Sequence, residues 1–202
     1  MAKKGYIYKG KKAVYWCPHC ETALAEAEIE YGEEKSPAIF VKMPLVKDNG
    51  MLPEAAQGKP AYIVIWTTTP WTMPANVAIA LHPDFEYAWV ECEGEILFMA
   101  KEMLEAVGKV CKKTSAISSA PVSKDMEYAE CRHPFETIDR KSLVVLADYV
   151  TLEAGHRLCT YRSRTWRRRL ETGVRYNLRS SAVDGSGKLT AEAGVGFAGM
   201  FV

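Results

Sequence analysis

The apolar positions of this chain fall into short runs, few of them long enough to close several helical turns. Ala61-Tyr62-Ile63-Val64-Ile65-Trp66 is continuous and partly β-branched, which predicts a strand buried on both faces. Residues 38–43, 77–81, 87–91, 95–100 and 142–149 are further runs of strand length. Near the start, residues 6–8 and 13–16 predict two short strands around the turn Gly10-Lys11-Lys12. Residues 22–31 set Ala23, Ala25, Ala27 and Ile29 against Glu26, Glu28 and Glu30; this period of two predicts a strand, although alanine and glutamate also suit a helix. Helical spacing belongs to residues 101–111, with Met103, Leu104, Val107 and Val110 on one side. Asn49-Gly50 and Asp184-Gly185-Ser186-Gly187 mark turns. The pattern predicts an α+β chain, mostly β, with a barrel-like core and small helices attached.

Composition narrows the classes. At 202 residues with 48% apolar content, the chain suits one domain of good size with its own core. The formal charge of +1 points to no partner by itself. No apolar run approaches the roughly 20 residues of a membrane span, and Met1-Ala2-Lys3-Lys4 opens no secretory signal, so no membrane partner is expected. Cys92, Cys111, Cys131 and Cys159 are scattered singly, unlike the framework of a small secreted domain, and a reducing cytoplasm is expected. Cys17 and Cys20 do form a motif. Two thiolates at this spacing make half of a tetrahedral zinc site; the plainer reading is two unpaired thiols near a turn, with His19 exposed between them.

The stretch richest in chemistry is Trp66-Thr67-Thr68-Thr69-Pro70-Trp71-Thr72-Met73-Pro74-Ala75-Asn76. Three threonines leave a buried strand and meet a proline, which cannot continue it. Their hydroxyls donate and accept, and their methyl groups narrow any adjacent pocket. Such a segment is ordinarily a polar turn. This string, however, resembles the threonine-rich element in the inserted editing domain (connective peptide 1) of the isoleucyl-tRNA synthetases. The valine and leucine enzymes typically read Thr-Thr-Arg-Pro followed by an acidic residue, and Thr69 and Trp71 stand in those places here. The resemblance extends through Tyr15-Trp16-Cys17-Pro18-His19-Cys20, Arg132-His133-Pro134-Phe135, Ala147-Asp148-Tyr149-Val150 and Gly199-Met200-Phe201-Val202. It implies a connecting segment over residues 1–35 and an editing domain over 36–202, with Met1 inside a longer parent chain.

The resemblance also implies a function: hydrolysis of valine from mischarged tRNA for isoleucine. Its partners are then the valine-bearing 3′ end of that tRNA and the remainder of the synthetase chain. Thr67, Thr68 and Thr69 are the candidates for the pocket wall and for orienting water. Trp66, Trp71, Thr72 and Asn76 are the candidates for substrate binding, with Asn76 holding the terminal adenosine or the turn and Trp71 packing beneath it. Editing needs no cofactor on this reading. A zinc belongs, if anywhere, to the full-length parent, where a second cysteine pair would follow Val202; ATP belongs to the parent's catalytic domain.

One stretch departs from the family pattern. A His-Thr-Ala-Pro-Gly-His-Gly element ending in an acidic residue is expected after residues 147–152, and the chain instead reads from His156 to Leu170 without it. A choice of synonymous codons for this segment, read one base later, gives Thr-Gly-Cys-Val-His-Thr-Ala-Pro-Gly-His-Gly-Glu-Glu-Asp. This suggests compensating single-base shifts near Gly155 and Leu170. The family histidine then aligns with Thr160 and the family aspartate with Arg169. An arginine repels the substrate's ammonium group, so hydrolysis by the chain as written is expected to be poor. The rival reading takes Arg162, Arg164, Arg167, Arg168 and Arg169, beside Tyr161 and Trp166, as a basic aromatic patch for RNA in a non-catalytic tRNA-binding module.

Overall fold

The computed structural model describes residues 1–8, 14–33, 35–111, 114–150, 166–178 and 182–202, with backbone alone at 114–122 and 166–170. In chain order the strands are β1 (Tyr15–Cys17), β2 (Thr22–Leu24), β3 (Ile39–Lys47), β4 (Ala61–Thr67), β5 (Ala78–Leu81), β6 (Glu86–Cys92), β7 (Glu95–Ala100), β8 (Thr114–Val122), β9 (Glu130–Arg132) and β10 (Lys141–Leu146). The helices are α1 (Leu104–Val110) and α2 (Trp166–Arg175), joined by several single 3-10 turns.

Strands β1 and β2 form a hairpin of their own; the other eight make one mixed sheet in the order β5-β10-β9-β3-β4-β7-β6-β8. The mostly-β expectation holds, but closure does not: β5 and β8 stand at opposite ends and do not pair with each other, so the sheet is open. Strand β3 joins its two halves. Its first part pairs antiparallel with β4, and after a register shift between Leu45 and Lys47 its end pairs with β9. An irregularity of this kind bends a strand and lets one element serve two neighbours. Between β6 and β7, Glu93 and Gly94 both take positive φ (52° and 89°), the backbone of a two-residue hairpin turn that matches strand twist.

The main core lies on this sheet. Phe98 is fully buried between Tyr87 and Trp89, with ring centroids 5.3 and 4.8 Å away. Met43, Ile63, Ile65, Ile79, Leu81 and Ile96 fill the space around them. Helix α1 covers part of this core through Val107, and Met103 is buried just ahead of it. Val110, grouped by spacing with that apolar side, is instead 73% exposed. The next residue, Cys111, is tied to Cys92 of β6 by a disulfide. These two cysteines were read as single because they lie 19 residues apart; the antiparallel β6–β7 pair and the helix fold that interval back on itself.

A smaller cluster joins α2 to the sheet. Tyr176, just after the helix, accepts a hydrogen bond from the Leu146 N–H (3.1 Å) and donates to a carboxylate oxygen of Glu127. Its ring packs with Ala80, Val145, Ala147 and Val150.

Two local expectations change near the start. Residues 6–8 form no strand, and a 3-10 turn at Ala2–Lys4 precedes them. The hairpin of β1 and β2 turns at residues 18–21, with Glu21 at φ 50°, while the expected turn at Gly10-Lys11-Lys12 lies outside the described residues. The predicted strand over 22–31 stops at Leu24 and a 3-10 turn follows at Glu26–Glu28. There the Glu28 carboxylate accepts the Ala25 N–H (2.7 Å), so the helical tendency of alanine and glutamate wins over the period of two.

Candidate functional site

The threonine stretch sits where β4 leaves the sheet. Thr67 is its last residue and is 1% exposed. Beyond it the chain makes a 3-10 turn at Pro70–Ala75, whose two prolines, Pro70 and Pro74, have no N–H to give. Hydroxyls knit the turn together. The Thr69 N–H donates to Thr67 Oγ1 (3.0 Å), and the Thr67 and Thr69 hydroxyl oxygens are 3.2 Å apart. The Thr72 hydroxyl donates to the Thr69 carbonyl (2.7 Å) and lies 3.4 Å from the Thr69 hydroxyl. Ser36 donates its hydroxyl to the Thr68 carbonyl, tying the start of the sheet region to the same turn.

The structure therefore brings Thr67, Thr69 and Thr72 into one row of hydroxyls. Thr67 is at its buried end; Thr68, Thr69 and Thr72 are half-buried. Trp66 is half-buried on β4 opposite Phe40 of β3. Trp71, expected beneath the turn, is 44% exposed and stands outside it. Asn76 is buried, and both ends of its amide are used: Oδ1 accepts the Ser142 hydroxyl (2.7 Å), and Nδ2 donates to the Ala78 carbonyl (3.1 Å). Of its two expected roles, this geometry serves the holding of the turn.

Sequence reasoning missed what stands behind the turn. His133 is 1% exposed, and its Nε2 lies 2.9 Å from the Met73 carbonyl. Burial, above all, and the nearby Arg140 charge hold its pKa below the usual imidazole value, against the Met73 carbonyl, which favours the protonated ring. Arg140 donates from one guanidinium nitrogen to the carbonyls of Pro74 (3.0 Å) and Asn76 (3.2 Å). Neither residue carries a local signal for this role: the partners lie 60 to 66 positions away. Behind Arg140 opens a cleft of about 450 Å³ lined by Val77, Lys141, Leu143, Asn177, Leu178 and Glu192 as well as Arg140. The threonines do not line it.

The other predicted positions contribute less. Thr160 lies outside the described residues, and Arg169 falls on the backbone of α2. Cys17 and Cys20 both keep free thiols at the hairpin turn, with the Cys20 N–H 3.4 Å from the Cys17 sulfur. That backbone hydrogen bond is the main reason the Cys17 thiol titrates below its ordinary value, while the shared interaction with Cys17 raises that of Cys20. Among the described residues no group of three or more His, Cys, Asp or Glu side chains is placed to hold a metal. No helix of the described residues is long and apolar enough to cross a membrane.

Comparison with known proteins adds to this geometry. Residues 1–171 match the family model for tRNA synthetases class I (I, L, M and V). The chain is 50% identical over 204 residues to the isoleucine–tRNA ligase of Caldicellulosiruptor saccharolyticus, covering all of this chain and 22% of that protein. It is 50% identical over 201 residues to that of Carboxydothermus hydrogenoformans, covering 99% of this chain and 21% of that one. The corresponding ligase of Moorella thermoacetica is 46% identical over 213 residues, covering 100% and 21%. The chain thus spans about a fifth of the length of the curated relatives it matches. Among solved structures, that of GlLeuRS-CP1 matches at 17% identity with a TM-score of 0.47, over 59% of this chain and 51% of that one.

Proposed function

The chain belongs to the class I tRNA synthetases for isoleucine, leucine, methionine and valine, and from that membership we propose that it is the proofreading part of an isoleucine enzyme, which hydrolyses the ester of valine mistakenly joined to its tRNA. The reading divides the chain into a connecting segment over 1–35 and an editing unit over 36–202, working in the cytoplasm on the 3′ end of the tRNA. The need for such a unit is physical. Valine is isoleucine less one methylene, and a binding pocket rejects a smaller apolar side chain only weakly; this amino-acid pair is the standard case of that limit. A second pocket that admits valine and excludes isoleucine recovers the difference.

The observation that supports this reading most is the hydroxyl row of Thr67, Thr69 and Thr72 on a turn shortened by two prolines. Such a row has the chemistry that ester hydrolysis asks of a metal-free site. Thr68, Thr69 and Thr72 are half-buried, and their hydroxyls can orient a water molecule and the ester carbonyl. Thr67 holds Thr69 in place rather than meeting the substrate. Trp71, standing outside the turn, offers an aromatic face to the terminal adenosine. The substrate's ammonium group needs a carboxylate, the role of the family aspartate that Arg169 replaces.

The test is deacylation of valine-charged tRNA for isoleucine. The chain as written is compared with a version in which residues 156–169 carry Thr-Gly-Cys-Val-His-Thr-Ala-Pro-Gly-His-Gly-Glu-Glu-Asp. The restored version is expected to hydrolyse the ester and the chain as written to do so poorly. Equal rates would place the second half of the site elsewhere. Salt-dependent tRNA binding without hydrolysis in either version, lost on replacing Arg167, Arg168 and Arg169, would favour the non-catalytic binding module.

A further inference from the structure

The turn at Pro70–Ala75 is a 3-10 helix with a proline, Pro74, inside it, and bonds at its two ends tie it to its flanks. Within it, the Thr72 N–H reaches the Thr69 carbonyl (3.1 Å), and at its end the Asn76 N–H reaches the Met73 carbonyl (2.9 Å). Proline at 74 removes one donor from inside the turn. The carbonyls of Met73, Pro74 and Asn76 are met by side chains from elsewhere in the fold.

Two side chains from one loop meet them. His133 follows β9 and Arg140 precedes β10, and the loop between them is closed at its base by the His133 N–H donating to the Arg140 carbonyl (2.9 Å). The Phe135 N–H donates to His133 Nδ1 (3.2 Å), so the ring proton resides on Nε2 and is donated to the Met73 carbonyl. Arg140 adds its forked bond to the next carbonyl and to that of Asn76. The loop is itself braced. Phe135 stacks on Phe197 at 5.4 Å, and Gly194, at φ 96°, lies so close to Ile138 that a Cβ there would stand 2.5 Å from it.

We propose that His133 and Arg140 are positioning residues for the threonine turn: by holding the carbonyls of Met73, Pro74 and Asn76 from the buried side, they set where the hydroxyls of Thr69 and Thr72 stand. The inference rests on the proofreading reading for its functional meaning, but its structural half can be tested without any activity. A neutral ring donor and a fixed cationic fork do different work. The histidine fixes the middle of the turn, and the arginine fixes its exit into β5.

The experiment follows the threonine methyl resonances of the chain as it exists, together with the affinity of the version restored at residues 156–169 for a non-hydrolysable amide analogue of 3′-valyl-adenosine. His133→Phe keeps the ring volume and loses the donor; His133→Gln keeps a donor near the position of Nε2; Arg140→Lys keeps the charge but loses the planar guanidinium nitrogen that reaches both carbonyls. The Thr69 and Thr72 methyls are expected to shift in H133F and R140K and to stay near their original positions in H133Q. Affinity for the analogue should fall about tenfold in H133F and recover in H133Q. Unmoved methyls in folded H133F and R140K would overturn the proposal, as would H133Q behaving like H133F. If H133F fails to fold, the half-buried Arg140 and its lysine variant decide. A chain restored at residues 156–169 that still ignores the analogue, with methyls that respond to the variants, would sink the proofreading reading and leave the positioning intact.

Discussion

The turn at Pro70–Ala75 and the turn bearing Cys17 and Cys20 both present polar side chains at close spacing, and both follow directly on a strand. Around the first, bonds converge from four other places: Ser36, His133, Arg140 and Ser142, the last through Asn76. The second has one sulfur-directed bond and half-exposed or exposed cysteines, and its hairpin leans on the chain's end through the Trp16 indole N–H donating to the Gly185 carbonyl (2.6 Å). The contrast shows where this chain spends its buried polar groups. A motif that only holds a strand reversal needs few partners, whereas a row of hydroxyls kept in one geometry needs support from several distant elements.

That contrast can be probed by perturbing each side in turn. Reduction should separate the two cysteine pairs most strongly. Breaking the Cys92–Cys111 link, which closes an interval of 19 residues, should lower stability by about 3 kcal/mol in a denaturant titration, while Cys17 and Cys20 are thiols throughout and contribute nothing to the change. Cys131 should resist alkylation under the same conditions, since burial pushes its thiol up to about 12. Next in size is Asn76→Ala. It leaves the Ser142 hydroxyl and the Ala78 carbonyl without their partner in a buried place, at a cost of about 1–3 kcal/mol measured by the same titration.

A smaller effect is expected from acid. Because burial holds the His133 pKa down, the unfolded chain takes up this proton first, near the ordinary pH of about 6.5. The stability tied to the neutral ring is therefore complete above that pH and is lost as pH falls towards the folded pKa. His133→Gln should flatten this part of the pH profile. A profile identical to that of the unaltered chain would mean that the ring does not titrate as its burial dictates. Smallest of all, serine at Cys17 and Cys20 should change stability by no more than about 0.5 kcal/mol, as expected of exposed positions. A large loss there would erase the difference between the two turns.

The two turns also differ in how much of them the sequence discloses. The strands carrying the threonines were legible because continuous apolar runs at 61–66, 87–91 and 95–100 can hardly be anything else at that length. The turn itself was legible from proline chemistry. Its support was not: His133 and Arg140 act across 60 to 66 positions, and a histidine before a proline has no spacing that announces a buried carbonyl partner. Openness of the sheet was hidden for the same reason, since strand length says nothing about whether β5 and β8 meet. Strands β8 and β9 were missed because Thr114–Val122 is rich in serine and Glu130–Arg132 is very short; pairing with β6, β3 and β10 makes them strands. Near the start, the alternation at residues 22–31 was overruled by one glutamate bonded to a backbone N–H.

The most direct test of the central claim is a methyl and backbone resonance titration of the chain, restored at residues 156–169, with the amide analogue of 3′-valyl-adenosine, set beside the isoleucyl analogue. If the threonine turn is the seat of proofreading, the valyl compound perturbs Thr68, Thr69 and Thr72, the isoleucyl compound does so far less, and Cys17 and Cys20 do not respond to either. Perturbations confined to the hairpin, or equal responses of the threonines to both compounds, would contradict it.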